Sequence, residues 1–487
     1  MKNWKRTVCA VLCAGMLLSP ASGAAEIATG LMASAAEEIR SGTCGDGMKW
    51  QIDSTDTLTI SGTGAVTETP WLAYQDSIRQ VVVEEGVTLL PDEAFRGCGQ
   101  MVSVSLPDSL QSIGTAAFWM CSSLEAVTIP AGVTALGYEV FYKCDLLPEF
   151  CVAEDNTAYT ADNGILYSKD KSLLIAYPKL KTDTAFTVPD GVKSIQPAAF
   201  SENPYLESVT LSDSVEEILT SAFYNCLSLT ELTVSEGNAS FVSDDGVLYS
   251  KDRTAVIAYP MAKEGTSYTI PDGVTKIGAS AFAGADLSSV TIPDGITVID
   301  MDAFYNCTDL TVVTLPETVT SIGDHAFTHT GLTEINVPAG VEQVGYLAFY
   351  DCDDLKTATF RNPDCDICND ADTLPKDTVL RGYADSSAQL YAEKYERTFE
   401  ELSDEAAFTL GDVNADGSIN ARDANEVLIA AARLGTGNSS GMTEAMERAA
   451  DVTADDRINA KDAALILRYA AAVGTGKVIS FEELNKN

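Results

Sequence analysis

Phenylalanine recurs along this chain at an interval that few folds can accommodate. Phe95, Phe118 and Phe141 are evenly spaced in the low twenties, and Phe200 and Phe223 keep the same step. Phe282, Phe304, Phe327 and Phe349 follow at that step or one position short of it. A short alternating stretch returns in time with them, as Val104/Leu106, Val127/Ile129, Val209/Leu211 and Val290/Ile292. Alternation places one face of a strand in a core and the other in water. Pro107, Pro130, Pro293 and Pro316 then end their strands, because proline has no N–H for a sheet ladder. One coil of this kind cannot bury its apolar face alone. Stacked at about 4.8 Å per strand, neighbouring coils bury it continuously. Residues from about 80 to 360 are therefore expected to form a β solenoid.

Several columns of residues follow from the stacking. Cysteine comes a fixed step after the repeat Phe at Cys98, Cys121, Cys144, Cys226, Cys307 and Cys352. A small thiol at an inward position acts as a modest hydrophobe, which predicts buried free thiols, with oxidation of some neighbouring pairs as the alternative. No histidine accompanies them in sequence, which argues against a catalytic thiol. Outward strand positions form a wall of short polar side chains at Ser105, Thr128, Thr210, Thr233, Thr291, Thr314, Asn336 and Thr359. Threonine is an ordinary exposed strand residue, and the alternative is a platform for a protein or glycan. A second column is aromatic: Trp119, Tyr142, Tyr224, Tyr305 and Tyr350 each come just after the repeat Phe. Packing along the flank between coils is expected, with a ligand stripe as the alternative.

A longer period relates Asn156, Gly164, Pro178 and Pro189 to Asn238, Gly246, Pro260 and Pro271, each pair at the same separation. In each segment I/V-L-Y-S, a polar turn such as Lys169-Asp170-Lys171 and a second apolar run predict a β-hairpin that protrudes as decoration or forms a binding edge. Cys365 and Cys368 make a lone C-x-x-C, expected in a surface loop with or without a local disulfide. A metal there would need two more ligands, and the only histidines, His325 and His329, are expected in exposed loops of an ordinary repeat.

The chain carries 71 acidic and 31 basic residues, a formal charge of −40. Such a surface repels phosphates and anionic lipid, which excludes nucleic acid and the membrane surface as partners. Lys2, Lys5 and Arg6 precede an apolar run from Val8 to Leu18 and small residues at Ser22-Gly23-Ala24 and Ala33-Ser34-Ala35. This reads as a secretory signal with two possible cleavage points, the run being too short to span a bilayer. A secreted, extracellular protein with no membrane insertion is expected. No G-x-S-x-G, H-E-x-x-H, P-loop or dinucleotide fingerprint is present, and no enzyme activity is expected.

The A-F-x-x-C-x-x-L core, the L-P strand ends and the G-V-L-Y-S-K-D inserts resemble the BspA-like class of bacterial leucine-rich repeat. C-G-D-G-M-K-W with L-T-I-S-G-T-G resembles that class's N-terminal cap, and the stretch from Gly382 to Phe399 its C-terminal cap. The resemblance covers about 44–402 and implies an exported or surface-bound protein, often an adhesin. It leaves the ligand open.

The C-terminal region changes character. D-V-N-A-D-G-S-I-N-A-R-D from Asp412 is echoed by D-V-T-A-D-D-R-I-N-A-K-D from Asp451, each followed by a helical stretch. Oxygen side chains at loop positions 1, 3, 5, 9 and 12, with Gly417 at position 6, suit calcium in an EF-hand-like loop. Loop plus following helix, twice, resembles a type I dockerin. Carried over position by position, that resemblance implies a first calcium held by Asp412, Asn414, Asp416, the Ser418 carbonyl, Asn420 (directly or through water) and Asp423. A second would use Asp451, Thr453, Asp455, the Arg457 carbonyl, Asn459 and Asp462. Thr453 replaces Asn or Asp and Asp456 replaces Gly, so the second site is expected to be weaker. The resemblance also implies a cohesin partner on a scaffoldin. Ala421, Arg422, Ala460 and Lys461 would be the recognition positions, and their symmetry would permit two docking orientations.

The sequence thus predicts a mainly β leucine-rich solenoid with hairpin inserts plus a small all-α calcium-binding dockerin. The expected boundaries are a signal and leader over 1–35, an N-terminal cap over 36–80 and the solenoid with its C-terminal cap over 81–402. A linker over 403–409, the dockerin over 410–475 and a tail over 476–487 follow. The expected role is a non-catalytic secreted binding protein, joined by its dockerin to a polysaccharide-degrading assembly, with an unknown protein or glycan as the solenoid's ligand. The alternatives are a cell-surface adhesin binding host or neighbouring-cell proteins and, last, a glycan-active enzyme.

Overall fold

The computed structural model describes residues 40–402, 410–414, 418–436, 439–442, 444–455, 457–474 and 479–485. The expected signal segment, the linker over 403–409 and the loop residues Asp416, Gly417 and Asp456 lie outside them.

Residues 40–402 form a stack of coils, in which short strands alternate with Phe-bearing turns. One ladder runs through Thr57–Ser61, Gln80–Val83 and Ser103–Ser105, all parallel, with Val81 opposite Val104. The second runs through Val87–Leu90, Ser112–Ile113 and Ala135–Leu136, also parallel. The repeat phenylalanines stack ring on ring inside the coils. Phe282, Phe304, Phe327 and Phe349 lie 5.1, 5.2 and 5.5 Å apart between successive centroids, and all are fully buried. Such contacts add about 0.5–1.5 kcal/mol per pair beyond area burial.

The repeat cysteines sit in the core as free thiols. They also bond between coils. The thiols of Cys121, Cys226 and Cys307 donate to the carbonyls of Phe95, Phe200 and Phe282, one coil back, at 3.2, 3.1 and 3.0 Å. Each of these carbonyls already accepts a backbone amide in its own turn, from Cys98, Asn203 and Ala285, and the thiol adds a second bond from the next coil. Burial pushes Cys98, Cys226 and Cys307 up to about 12. Cys365 belongs to the core as well. It is fully buried just ahead of the strand Asp366–Ile367, with Cys368 half-buried beyond it, and both are free. The C-x-x-C is thus part of a coil and not a surface loop.

The two inserts differ from expectation. Each is a three-stranded antiparallel meander: Tyr159–Asp162, Ile165–Ser168 and Leu173–Ala176 in the first, and Phe241–Asp244, Val247–Ser250 and Ala255–Ala258 in the second. The third strand of each re-enters the solenoid in parallel, pairing with Ser194–Ile195 and Lys276–Ile277. Leu166, Tyr167, Leu248 and Tyr249 are buried, so the hairpins are core elements and not protruding decoration. The cause is the run of apolar residues in I/V-L-Y, which leaves neither face of the middle strand polar enough for water. Asn156 and Asn238 staple the inserts down. The Asn156 side-chain amide donates to the carbonyls of Pro130 and Val133, and its oxygen accepts from the amides of Ala158 and Tyr159. Asn238 repeats this with Ser212, Val215, Ser240 and Phe241.

The inserts divide the apolar interior into three blocks. At the first end Met48–Ile52 pairs antiparallel with Thr57–Ser61 and covers the first coil, burying Trp50 and Trp71. At the other, helix α1 (Ser387–Lys394), capped by the Ser386 hydroxyl, buries Ala388, Tyr391 and Ala392. Such end caps shield the coil faces that would otherwise meet water. Beyond the solenoid come α2 (Ala421–Gly435), α3 (Glu444–Ala450), α4 (Ala460–Gly474) and α5 (Phe481–Asn485). Among the described residues no helix is long and apolar enough to cross a membrane.

Candidate functional site

The two acidic loops each lead into a helix, and the last acidic residue of each locks the turn between them. In the first, Asn420 is the N-cap of α2 and Asp423 completes a capping box. The Asp423 carboxylate accepts from the amides of Val413 and Asn414 through Oδ1, at 2.8 and 3.3 Å, and from Asn420 through Oδ2 at 2.8 Å. In the second, Asp462 accepts from the Thr453 amide at 3.1 Å, the Thr453 hydroxyl at 2.8 Å and the Asn459 amide at 3.0 Å. The Thr453 bonds join the start of this loop to its end, and Asp451 accepts from the Asp455 amide at 3.1 Å within its first half.

Asp423 and Asp462 are fully buried and Asp412 is nearly so. Buried carboxylates facing oxygen-bearing loop residues suit a hard cation with oxygen-only ligands. Among the described residues no three His, Cys, Asp or Glu side chains gather as a metal site. The expected donors include Asn, Thr and carbonyl oxygens, and Asp416 lies outside the described residues. The side-chain oxygens of Asn420 and Asn459 accept from the amides of Arg422 and Lys461, while their NH2 groups donate to the carbonyls of Ser418 and Arg457. Both asparagines therefore tie the seventh loop residue to the following helix.

α2 and α4 pack around one small core of Val413, Ala424, Val427, Val452, Ala463 and Ile466, joined by Ile419 and Ile458 from position 8 of each loop. In the segment read as a tail, Phe481 of α5 stacks on Tyr469 at 4.3 Å and joins this core. Outside the core, Ala421, Arg422, Ala460 and Lys461 are exposed. Arg422 Nε lies 3.2 Å from Asp294 of the solenoid, with both side chains about half exposed. Pairs this wet are worth about 0–1 kcal/mol and yield easily to a partner. Sequence reading did not single out the exposed apolar residues of these two helices. Leu428 and Leu467, and Leu434 and Val473, are exposed and related by the same offset as Asp412 and Asp451. Leucines outside the buried stripe of an amphipathic helix were the available signal.

The other columns are also placed. The hydroxyl wall points outward, with Thr210 opposite Thr233 and Thr291 opposite Thr314. The aromatic column does not simply line a flank. Trp119, Tyr142, Tyr224 and Tyr305 come from all three blocks to one cavity, together with Glu139 and Asp302, while Tyr350 stays apart. His329 is exposed and 2.9 Å from Asp351, but His325 is half-buried and lines that cavity instead of standing in a free loop.

Comparison with known proteins agrees with these two parts. Over half of the chain, residues 72–169, 176–245 and 259–371, matches the BspA type leucine rich repeat region in six copies, and the chain belongs to that family. Residues 410–470 match the dockerin type I domain. Among solved structures, the chain is similar to a leucine-rich repeat protein from Eubacterium ventriosum, at 25% identity and TM-score 0.39, covering 67% of this chain and 80% of that one. It is similar to the pneumococcal vaccine antigen PcpA, at 18% identity and TM-score 0.41, covering 75% and 99%. A leucine rich cell surface protein from Faecalibacterium prausnitzii gives 22% identity and TM-score 0.39, covering 67% and 90%. No curated protein matches the chain. The matched domains are of non-enzymatic types. Type I dockerins bind calcium and take a cohesin as partner.

Proposed function

We propose that this is a secreted binding protein whose dockerin plugs into a cohesin on a scaffoldin, so that the solenoid displays its surface within a polysaccharide-degrading assembly. The observation that carries this reading is the duplicated loop and helix, with Asp423 and Asp462 buried at equivalent places and Leu428 and Leu467 exposed at equivalent places. Calcium would be held by Asp412, Asn414, Asp416, Asp423 and the Ser418 carbonyl, with Asn420 reaching it through water because its oxygen caps α2. The second site would use Asp451, Thr453, Asp455, Asp462 and the Arg457 carbonyl, with Asn459 in the same indirect role. The ion supplies positive charge that lets these carboxylates stay buried and close together, so binding energy becomes folding energy. Two ions bind, the second more weakly, because Thr453 brings a neutral hydroxyl that already donates to Asp462.

Arg422 and Lys461 supply charge, and the exposed leucines supply apolar area, to a face repeated by the internal duplication. The test is capture of the full chain by a panel of purified type I cohesins, with calcium present. Arg422→Asp combined with Lys461→Asp should abolish capture while calorimetry still shows two unequal calcium events. Unchanged capture would remove these residues from the interface, and two equal tight events would contradict the ranking of the sites.

A further inference from the structure

A cavity of about 370 Å³ opens where the three blocks of the solenoid converge. Its walls are built from two register positions, with Lys143 added from a third. The residue after the repeat Phe gives Trp119, Tyr142, Tyr224 and Tyr305, and the residue two before it gives Glu139 and Asp302. Tyr224 and Tyr305 meet edge to face at 5.9 Å although they are remote in the chain. The course of the chain across the second insert makes this juxtaposition, which no single repeat could form.

Two features of the cavity are not needed by the fold. The position two before the Phe adopts a left-handed backbone, with φ 52° at Glu139 and 56° at Asp302. In the other coils the same position is filled by Glu93, Ala116, Ala198, Ser221, Ser280, His325 and Leu347, with φ between 52° and 58°. The backbone therefore does not demand a carboxylate there. The carboxylates also lack a fixed cation. Among the described residues, Glu139 and Asp302 enter no ion pair, and Lys143, which also lines the cavity, pairs instead with Glu202 at 3.8 Å. Burial raises both carboxyls; at Asp302 the Glu139 charge adds to the rise and His325 offsets part of it. A carboxylate kept half-dry without a cation costs stability unless something fills the role.

The rings attract cations already. Arg96 lies 4.5 Å over Trp119 and Lys143 5.7 Å over Tyr142. A neutral sugar would leave both charges unpaired. A hard metal ion would draw on the oxygens of the lining but make no use of the ring faces. An ammonium brings three N–H donors for the carboxylates, and its alkyl stem lies on ring faces.

We propose that this cavity binds a primary ammonium group on an alkyl chain, carried either by a lysine side chain of a partner protein or by a free aliphatic polyamine. The proposal rests on the reading of the solenoid as the gripping half and is independent of cohesin docking. Calorimetry on the full calcium-loaded chain tests it, with Nα-acetyl-lysine methylamide, spermidine and cadaverine as probes and 1,5-pentanediol as the neutral control. At least one amine should bind and the diol should not. Binding of the lysine probe alone assigns the source to protein, and preference for spermidine assigns it to polyamine. Asp302→Asn with Glu139→Gln should weaken the amine about tenfold or more, with solenoid unfolding no earlier than in the parent and cohesin capture unchanged. Equal binding of amine and diol, no binding of any amine at millimolar concentration, or unaltered affinity in the variant would overturn it. Loss of cohesin capture in the parent chain would instead strike the dockerin reading and leave this one standing.

Discussion

Asp302→Asn should make the solenoid more stable, and the gain should depend on pH in a way worked from the structure. Burial lifts the Asp302 carboxyl from 3.8 to about 6; His325 opposes the rise, and Asp324 and Glu139 add to it. At about 1.4 kcal/mol per pH unit, a dry site would make the folded charge cost about 3 kcal/mol. Solvent at the cavity mouth reduces this to about 1–2 kcal/mol. The sign follows from linkage. The folded pKa exceeds the unfolded one, so wild type is penalised least below 3.8 and loses stability as pH rises through 6. Asparagine removes the titration. Its advantage should be nil below the unfolded value, about a third of full size at pH 4.5, and complete above the folded value. Urea unfolding followed by tyrosine and tryptophan fluorescence at pH 4.5, 6 and 8 reads it. A variant less stable than wild type at pH 8, or a gain that does not change with pH, would refute the assignment of Asp302 as a desolvated charge without a fixed partner.

Two further outcomes are expected. Phe304→Ala interrupts the ring stack between Phe282 and Phe327 and should cost about 3–5 kcal/mol. Hydrogen exchange should then rise first in the third block, the block that owns this core, whereas uniform loosening would argue against separate blocks. The repeat thiols should resist a thiol reagent in the native chain at pH 8 and react together on unfolding, because burial holds Cys226 and Cys307 protonated and each is engaged with a carbonyl. Rapid labelling of either in the native state would place them at the surface.

Much of the fold was legible because a repeat multiplies its own signal. The phenylalanine period announced the coils, and the alternation of Val104 with Ser103 and Ser105 gave the strand faces. The dockerin loops were legible because ligand chemistry restricts residue type at fixed spacing. Other features were hidden for physical reasons. The I-L-Y strands looked like protruding hairpins because local pattern cannot show that a third strand will rejoin the ladder. Cys365 looked like a loop residue because its acidic neighbours Asp364 and Asp366 masked an inward position. The cavity was invisible because Glu139 and Asp302 are remote in the chain and meet only through its course past both inserts. Thiol bonding to the preceding Phe carbonyl required knowing which coil lies behind which.

The most direct test of the account is hydrogen exchange and cohesin capture on the full chain, measured side by side with calcium and with a chelator. With calcium, α2 and α4 should be protected and a type I cohesin should be captured. With the chelator, protection of those two helices and capture should both be lost while the solenoid strands keep their exchange rates. Helices equally protected, or capture equally strong, after removal of the ion would contradict the claim that the ion builds the docking plug.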